Sequence, residues 1–245
     1  MGHHLGKLEV LSLTKRFGRT TALGGISLSF TPSTITAVIG PNGAGKTVLL
    51  DILSGLRRPT SGHVTLSGED VTGYPPSRRA RLGITRSFQA ARVFHSFTFG
   101  QHALFSRWLA RLHDDQESEL ASGPGQSTAL MAQRLMDGLS ADLVSTPMGE
   151  LSYGTQRMLG LIACALSSPK VWLVDEPSAA LDDVNLSRVK VLLLTARERG
   201  STVIVAEHDL RLVHELADVV VQLDAGEVIS VGAPRDQVGK PSIND

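Results

Sequence analysis

The run Gly40-Pro41-Asn42-Gly43-Ala44-Gly45-Lys46-Thr47 sets three glycines, a lysine and a threonine between the apolar stretch "TITAVI" and the amphipathic stretch "VLLDILSGL". A backbone that turns tightly and approaches a ligand closely needs residues without a Cβ. In this G-x4-G-K-T pattern, successive backbone N–H groups encircle a β-phosphate. The lysine reaches the β- and γ-phosphates, and the threonine hydroxyl meets Mg2+. A glycine-rich strand-to-helix turn without a ligand is the bland alternative. The chemistry that the pattern suits is binding of a nucleoside triphosphate by residues 40–48, Val48 included.

Two further stretches bear on the same chemistry. Asp175 closes the apolar run "VWLVD" and is followed by Glu176. A carboxylate at the C-terminal end of a parallel strand faces the crevice where such sheets bind ligands. Asp175 therefore suits Mg2+ held through water, and Glu176 suits a base facing the attacking water. A strand that ends in a polar turn says little alone, and this one gains its meaning from sharing a chain with the phosphate loop. The stretch "LSYGTQRM" opens a helix, with Ser152 as N-cap and Gly154 in the first turn. It reads either as a plain capped helix or as a helix N-terminus that a small residue lets close onto an anion.

The elements that must position these groups follow from periodicity. Short β-rich runs, "LEVLSL", "ISLSF" and "TITAVIG", predict strands of a partly antiparallel sheet, with a helix at 48–54. "HVTLSGEDVTG" predicts a strand and turn, "PPSRRARLG" a short helix and "ITRSFQ" another strand. Between about Gly100 and Thr146 strand signals vanish. Helical runs around "HALFSRWLARLH" and "TALMAQRLMDGL" there flank the loop "ESELASGPGQS". Helices over 153–166, 183–199 and 210–217 then alternate with the strands "VWLVD", "STVIVAE", "VVVQL" and "EVISV". Such alternation implies a parallel core sheet covered on both faces, an α/β architecture.

Composition narrows the partners. The 245 residues carry 24 Lys+Arg against 24 Asp+Glu, a formal net charge of zero. A chain so balanced lacks the electrostatic footprint of a nucleic-acid binder. No apolar run reaches the roughly 18 residues a membrane span needs, and "MGHHLGKLEV" has no signal-like core, which predicts a cytoplasmic chain. The one cysteine, Cys164, lies in the apolar "LGLIACALSS" and reads as a buried helix position. His3 and His4 resemble a tag remnant and are set aside.

"LSYGTQ", then "VWLVDEPSAALD", then "VIVAEHD" resemble the signature, Walker B, D-loop and switch-histidine series of ABC-type ATPases, in that order and over Leu8 to Val238. The resemblance implies a P-loop NTPase core with a mostly parallel sheet, an N-terminal antiparallel β subdomain and an inserted α-helical subdomain. Residues 5–99 and 147–245 would form the core and 100–146 the insertion, with the signature at 151–156. In that family two copies meet head to tail, each ATP held between one phosphate loop and the other signature. Lys46 and Thr47 would thus hold phosphate and Mg2+, while Ser152, Gly154 and Gln156 would serve the partner's nucleotide. Phe17 matches the aromatic that stacks on adenine, with an edge-strand packing role as the alternative. Gln89 matches the glutamine that contacts Mg2+ and water, His208 the histidine that orients γ-phosphate and water, and Asp182 a contact with the partner's site.

Three positions depart from the common pattern: Val48 replaces a second hydroxyl, Ala180 a glycine before "LD", and Tyr153 a glycine in the signature. Tyr153, "ELSYGTQR" and "GEDVTGYPPSRRARLGITRSFQAARVF" resemble the ATPases of branched-chain amino-acid or urea uptake. That subgroup implies ATP and Mg2+ as cofactors, and a second ATP-binding subunit, membrane permeases and indirectly a binding protein as partners. It also implies a place at the cytoplasmic face of the membrane, and no nucleic acid. A soluble ATP-driven clamp and a regulator that does not hydrolyse are the rivals. Arg78, Arg79, Arg81, Arg86 and Arg92 read either as a basic patch or as a scattered set. Phe94, Phe97 and Phe99 read either as an interface cluster or as local core.

Overall fold

The computed structural model describes residues 6–87, 94–111 and 138–237. Two sheets organise them. The smaller is antiparallel, ordered β2 (Thr20–Phe30), β1 (Leu8–Phe17), β4 (Ser61–Leu66) and β5 (Glu69–Asp70). The larger adds β3 (Thr34–Ile39), β6 (Ile84–Arg86), β7 (Val171–Asp175), β8 (Thr202–Ala206), β9 (Val219–Asp224) and β10 (Glu227–Gly232), in the order β10-β9-β3-β8-β7-β6. Its strands run parallel except β10, which pairs antiparallel with β9.

The side chains of the parallel strands explain the layers. Every residue of β7 and β8 is buried, the signature of strands covered on both faces. Val171, Leu173, Ile204 and Ala206 pack on one face with α1 (Lys46–Leu53) and the antiparallel sheet. Trp172, Val174, Val203 and Val205 pack on the other with α5 (Tyr153–Leu166) and α6 (Asp183–Glu198). Each fully buried Leu, Val or Phe contributes about 1.5–3 kcal/mol, so these two cores carry the fold. A smaller cluster of Ala37, Ile39, Val213 and Val220 seats α7 (Leu210–Leu216).

The remaining α-helices among the described residues are α2 (Pro76–Arg81), α3 (Phe99–Arg111), α4 (Ala141–Ser145) and α8 (Pro234–Gln237). Phe99 and Ala103 of α3 are buried in the core that α5 shares. The second expected helical run and the loop before it lie outside the described residues, apart from their last two positions.

The expected elements recur with informative shifts. α5 spans the expected 153–166, whereas α1 starts two residues early, because Gly45 at φ 103° turns the chain directly into the helix. β1 and β2 outrun their β-rich cores because they pair with each other as far as Phe17 and Thr20.

Candidate functional site

β3 ends at Ile39 and α1 begins at Lys46, so the phosphate loop is the strand-to-helix turn the sequence implied. Gly40 sits at φ 148° with its backbone pressed on β9, where a Cβ would stand 2.1 Å from the Leu223 carbonyl. Two further contacts brace the loop: Gly226 N–H donates to the Ala44 carbonyl (3.1 Å), and Gly24 N–H to Gly226 (2.9 Å). The β9–β10 turn thus ties both sheets to the loop. Lys46 is only 8% exposed, and its Nζ donates to the Gly40 (2.6 Å) and Pro41 (3.0 Å) carbonyls, arching over the loop. Pro41, Asn42, Gly43 and Thr47 are exposed. The N–H groups of the first turn of α1 have no intrahelical acceptor, and the helix dipole points there, so the loop suits an anion. Val48 packs against the core, which accounts for an apolar residue in place of a hydroxyl.

β3, β8 and β7 are neighbours in the sheet, so Gly40, the Glu207–His208 turn and Asp175–Glu176 follow adjacent C-terminal strand ends. Asp175 is 3% exposed, and Arg86 bridges its Oδ2 (3.2 Å) to Asp51 Oδ1 of α1 (2.5 Å). Burial pushes the Asp175 carboxyl above its ordinary range, and the Arg86 guanidinium opposes that. Glu176 adopts left-handed backbone at φ 47°. Its N–H donates to Ala206 O (2.8 Å), and Arg157 of α5 donates to Asp175 O (2.7 Å) and to Glu176 O. Such a conformation costs about 1–2 kcal/mol and persists where neighbours over-determine it. His208 Nδ1 lies 3.9 Å from Glu176 Oε1, with the imidazole largely exposed.

Among the described residues no group of three or more His, Cys, Asp or Glu side chains is arranged to hold a metal. The donor set that is present, one hydroxyl at Thr47 and one carboxylate at Asp175, fits Mg2+. That ion keeps several waters and is held by one or two protein oxygens together with substrate phosphates.

The signature faces solvent elsewhere. Ser152 caps α5, its Oγ accepting from Thr155 N (3.3 Å), and Asp182 caps α6, accepting from Asn185 N (2.8 Å). Both are exposed, and no hydrogen bond joins either to the phosphate loop among the described residues. Gly154 packs so closely that a Cβ would stand 2.3 Å from Ala180 O, which sets the signature beside the D-loop. Gln156 is buried and donates to Leu151 O (2.8 Å), so its side chain turns into its own chain. Phe17 is 42% exposed, with Lys15 Nζ 5.2 Å and the Arg57 guanidinium 4.9 Å from the ring centroid. Gln89 and Arg92 lie outside the described residues.

The four described arginines, Arg78, Arg79, Arg81 and Arg86, do not form a patch. Arg79 and Arg86 are buried, and the Arg78 guanidinium lies 3.5 Å from the Tyr74 ring centroid. The aromatic trio divides: Phe99 is in the core, while Phe94 and Phe97 are exposed with ring centroids 5.0 Å apart. Cys164 is a helix position whose thiol burial pushes up to about 12, with Sγ near Arg86 O. Arg157 and Glu207 escaped notice in the sequence, and Arg86 was noticed only as one of five arginines. Their only signal was a charged residue inside or beside a run that otherwise buries.

A profile described as ABC transporter matches residues 23–179. The chain belongs to the ABC transporter family. Its α/β, P-loop NTPase fold and its ATPase activity follow from that membership. The cassette is 32% identical over 244 residues to the high-affinity branched-chain amino acid transport ATP-binding protein BraF of Pseudomonas aeruginosa, covering 96% of this chain and 95% of that one. It is 32% identical over 239 residues to a probable anion import ATP-binding protein of Haloferax volcanii, covering 95% and 82%. A crystal structure of a nucleotide-free ATP-binding cassette from an ABC transporter matches with a TM-score of 0.77 at 25% identity, covering 96% and 95%. No helix among the described residues is long and apolar enough to cross a membrane.

Proposed function

We propose that this ABC cassette drives uptake of branched-chain or other hydrophobic amino acids from the cytoplasmic face of the membrane, as a dimer with itself or with a related ATPase. The observation that carries the mechanism is the meeting of Glu176 and His208, 3.9 Å apart, on strand ends beside the phosphate loop. Residues 40–48 cradle the phosphates, and Lys46 swings from the loop carbonyls to the terminal phosphates. Phe17 offers an aromatic face to adenine. Thr47, Gln89 and, through water, Asp175 would hold Mg2+, which would supply charge neutralisation on the phosphates. Glu176 takes the proton of the attacking water, with His208 and Gln89 orienting that water and the γ-phosphate. Ser152, Gly154 and Asp182 serve the nucleotide of the facing copy, and the exposure of Ser152 and Asp182 supports this. Gln156 supports the signature from behind, through Leu151.

Residues 100–146 act as the helical subdomain between the core segments 5–99 and 147–245, and pass closure to membrane permeases fed by a binding protein. The exposed Phe94, Phe97, Phe105 and Trp108, in ring contact along α3 and the turn before it, support a docking face there. The BraF likeness favours amino acids as cargo, and urea or another small solute is the alternative.

Glu176→Gln tests the mechanism. Hydrolysis should fall by about 10²–10⁴-fold, while ATP and Mg2+ convert the monomer to a stable dimer on size exclusion. Turnover at the native rate would remove Glu176 from the role of base.

A further inference from the structure

Glu207 has no part in the chemistry above, yet it is fully buried, at 0% exposure, between two of the loops that carry it out. Its backbone N–H follows β8 and donates to Val38 O (3.2 Å) of β3, the strand that feeds the phosphate loop. Its Oε1 accepts from Ser178 N (3.0 Å), two residues beyond Glu176. Its Oε2 accepts from His208 N (2.7 Å) and Asp209 N (3.2 Å), and lies 3.4 Å from His208 Nδ1. No lysine or arginine pairs with it among the described residues. A carboxylate buried without a cationic partner is costly unless its oxygens are hydrogen-bonded, and backbone N–H groups to an ionised acceptor are among the stronger bonds available. Here those bonds come from two different loops, one leaving Glu176 and the other bearing His208.

We propose that Glu207 is a positioning residue for ATP hydrolysis. One oxygen holds the turn after Glu176, the other holds the turn at His208, and together they fix the spacing of the two groups that act on the water and γ-phosphate. The inference rests on the roles proposed for Glu176 and His208. The geometry is specific to a carboxylate of this length. A glutamine of equal size presents an NH2 to one of the two sets of N–H donors and so releases one loop, and an aspartate is too short to reach both.

Two readouts on the same samples test it. In Glu207→Gln, kcat should fall at least about tenfold, since small misplacements of reacting groups are costly, while affinity for a non-hydrolysable ATP analogue stays within about twofold. Amide hydrogen exchange of the ligand-free protein should quicken about tenfold or more in segments 176–180 or 207–210, with 46–53 unchanged. In Glu207→Asp, exchange should rise in one of these two segments and not in the other.

Two results would overturn the proposal. One is an unchanged kcat with unchanged exchange. The other is exchange that quickens throughout the chain while kcat and affinity fall together, which marks a general packing role. Should Glu207→Gln fail to fold, Glu207→Asp alone decides between these outcomes. The exchange measurement needs no turnover, so a wild-type chain in which Glu176 proved not to be the base would sink the roles above without deciding the clamp.

Discussion

Glu176 and Ala180 both hold left-handed backbone, at φ 47° and 61°, within the short segment that joins β7 to α6. Glu176 needs its side chain, whereas Ala180 contributes chiefly its carbonyl, against which Gly154 packs. Ala180→Gly should therefore relieve strain and raise stability by up to about 1 kcal/mol, read from urea unfolding. An equal loss would show that the alanine methyl packs productively. The sequence marked Ala180 as a departure, but only the backbone angle says what the departure costs. Phosphate-loop chemistry was legible because it lies in one contiguous run. Arg86 and Glu207 were not, because their partners are distant: Arg86 meets Asp175 89 residues away, and Glu207 meets Ser178 29 residues away. Cys164 is half-buried on α5, and burial of its thiol pushes it up to about 12.

Helix α1 carries the phosphate loop at one end and is finished at the other by an arginine from elsewhere. The Arg79 guanidinium of α2 donates to Ile52 O (2.7 Å), Leu53 O (2.7 Å) and Thr72 O (3.1 Å). Leu53 O is among the carbonyls that a helix end leaves without partners, Ile52 O also accepts from Gly55 N (3.0 Å), and a cation there suits the dipole. Desolvation lowers the guanidinium to about 10, which leaves it charged at neutral pH. Arg79→Met should cost about 3 kcal/mol, since it removes a charged donor from three carbonyls and leaves Leu53 O unpaired, and the loss is checked by chemical denaturation. A change under about 0.5 kcal/mol, the range of neutral surface substitutions, would show that water satisfies those carbonyls instead. In the sequence Arg79 was one of five arginines in an apparent basic run. Nothing in local spacing separates one that caps a neighbouring helix from one that stacks on Tyr74. Helix α5 was legible to the residue because cap and apolar stripe agree. The true ends of β1 and β2 were not, because cross-strand pairing extends strands past their β-rich cores.

The proposed mechanism uses two surfaces of the molecule. One gathers the strand ends with Asp175, Glu176 and His208, and the other carries the exposed aromatics before and along α3. Trp108 is 53% exposed and stacked on Phe105, with no ring contact to Phe17 or His208 among the described residues. Trp108→Ser should cut leucine uptake by the assembled transporter about tenfold or more, as loss of an aromatic anchor does at interfaces, with ATPase of the isolated chain unaltered. Normal uptake would move the permease contact elsewhere, and wild-type uptake of urea rather than leucine would change the cargo. The layered α/β order was legible from alternating runs. The brace behind the phosphate loop was not, since Gly226 reaches Ala44 only after the chain has crossed both sheets. That brace has a consequence for synthesis. The glycine-lysine loop leaves the ribosome well before the hairpin that props it. A growing chain carries the motif long before it carries the site, and nucleotide can reward only a chain from which that hairpin has emerged.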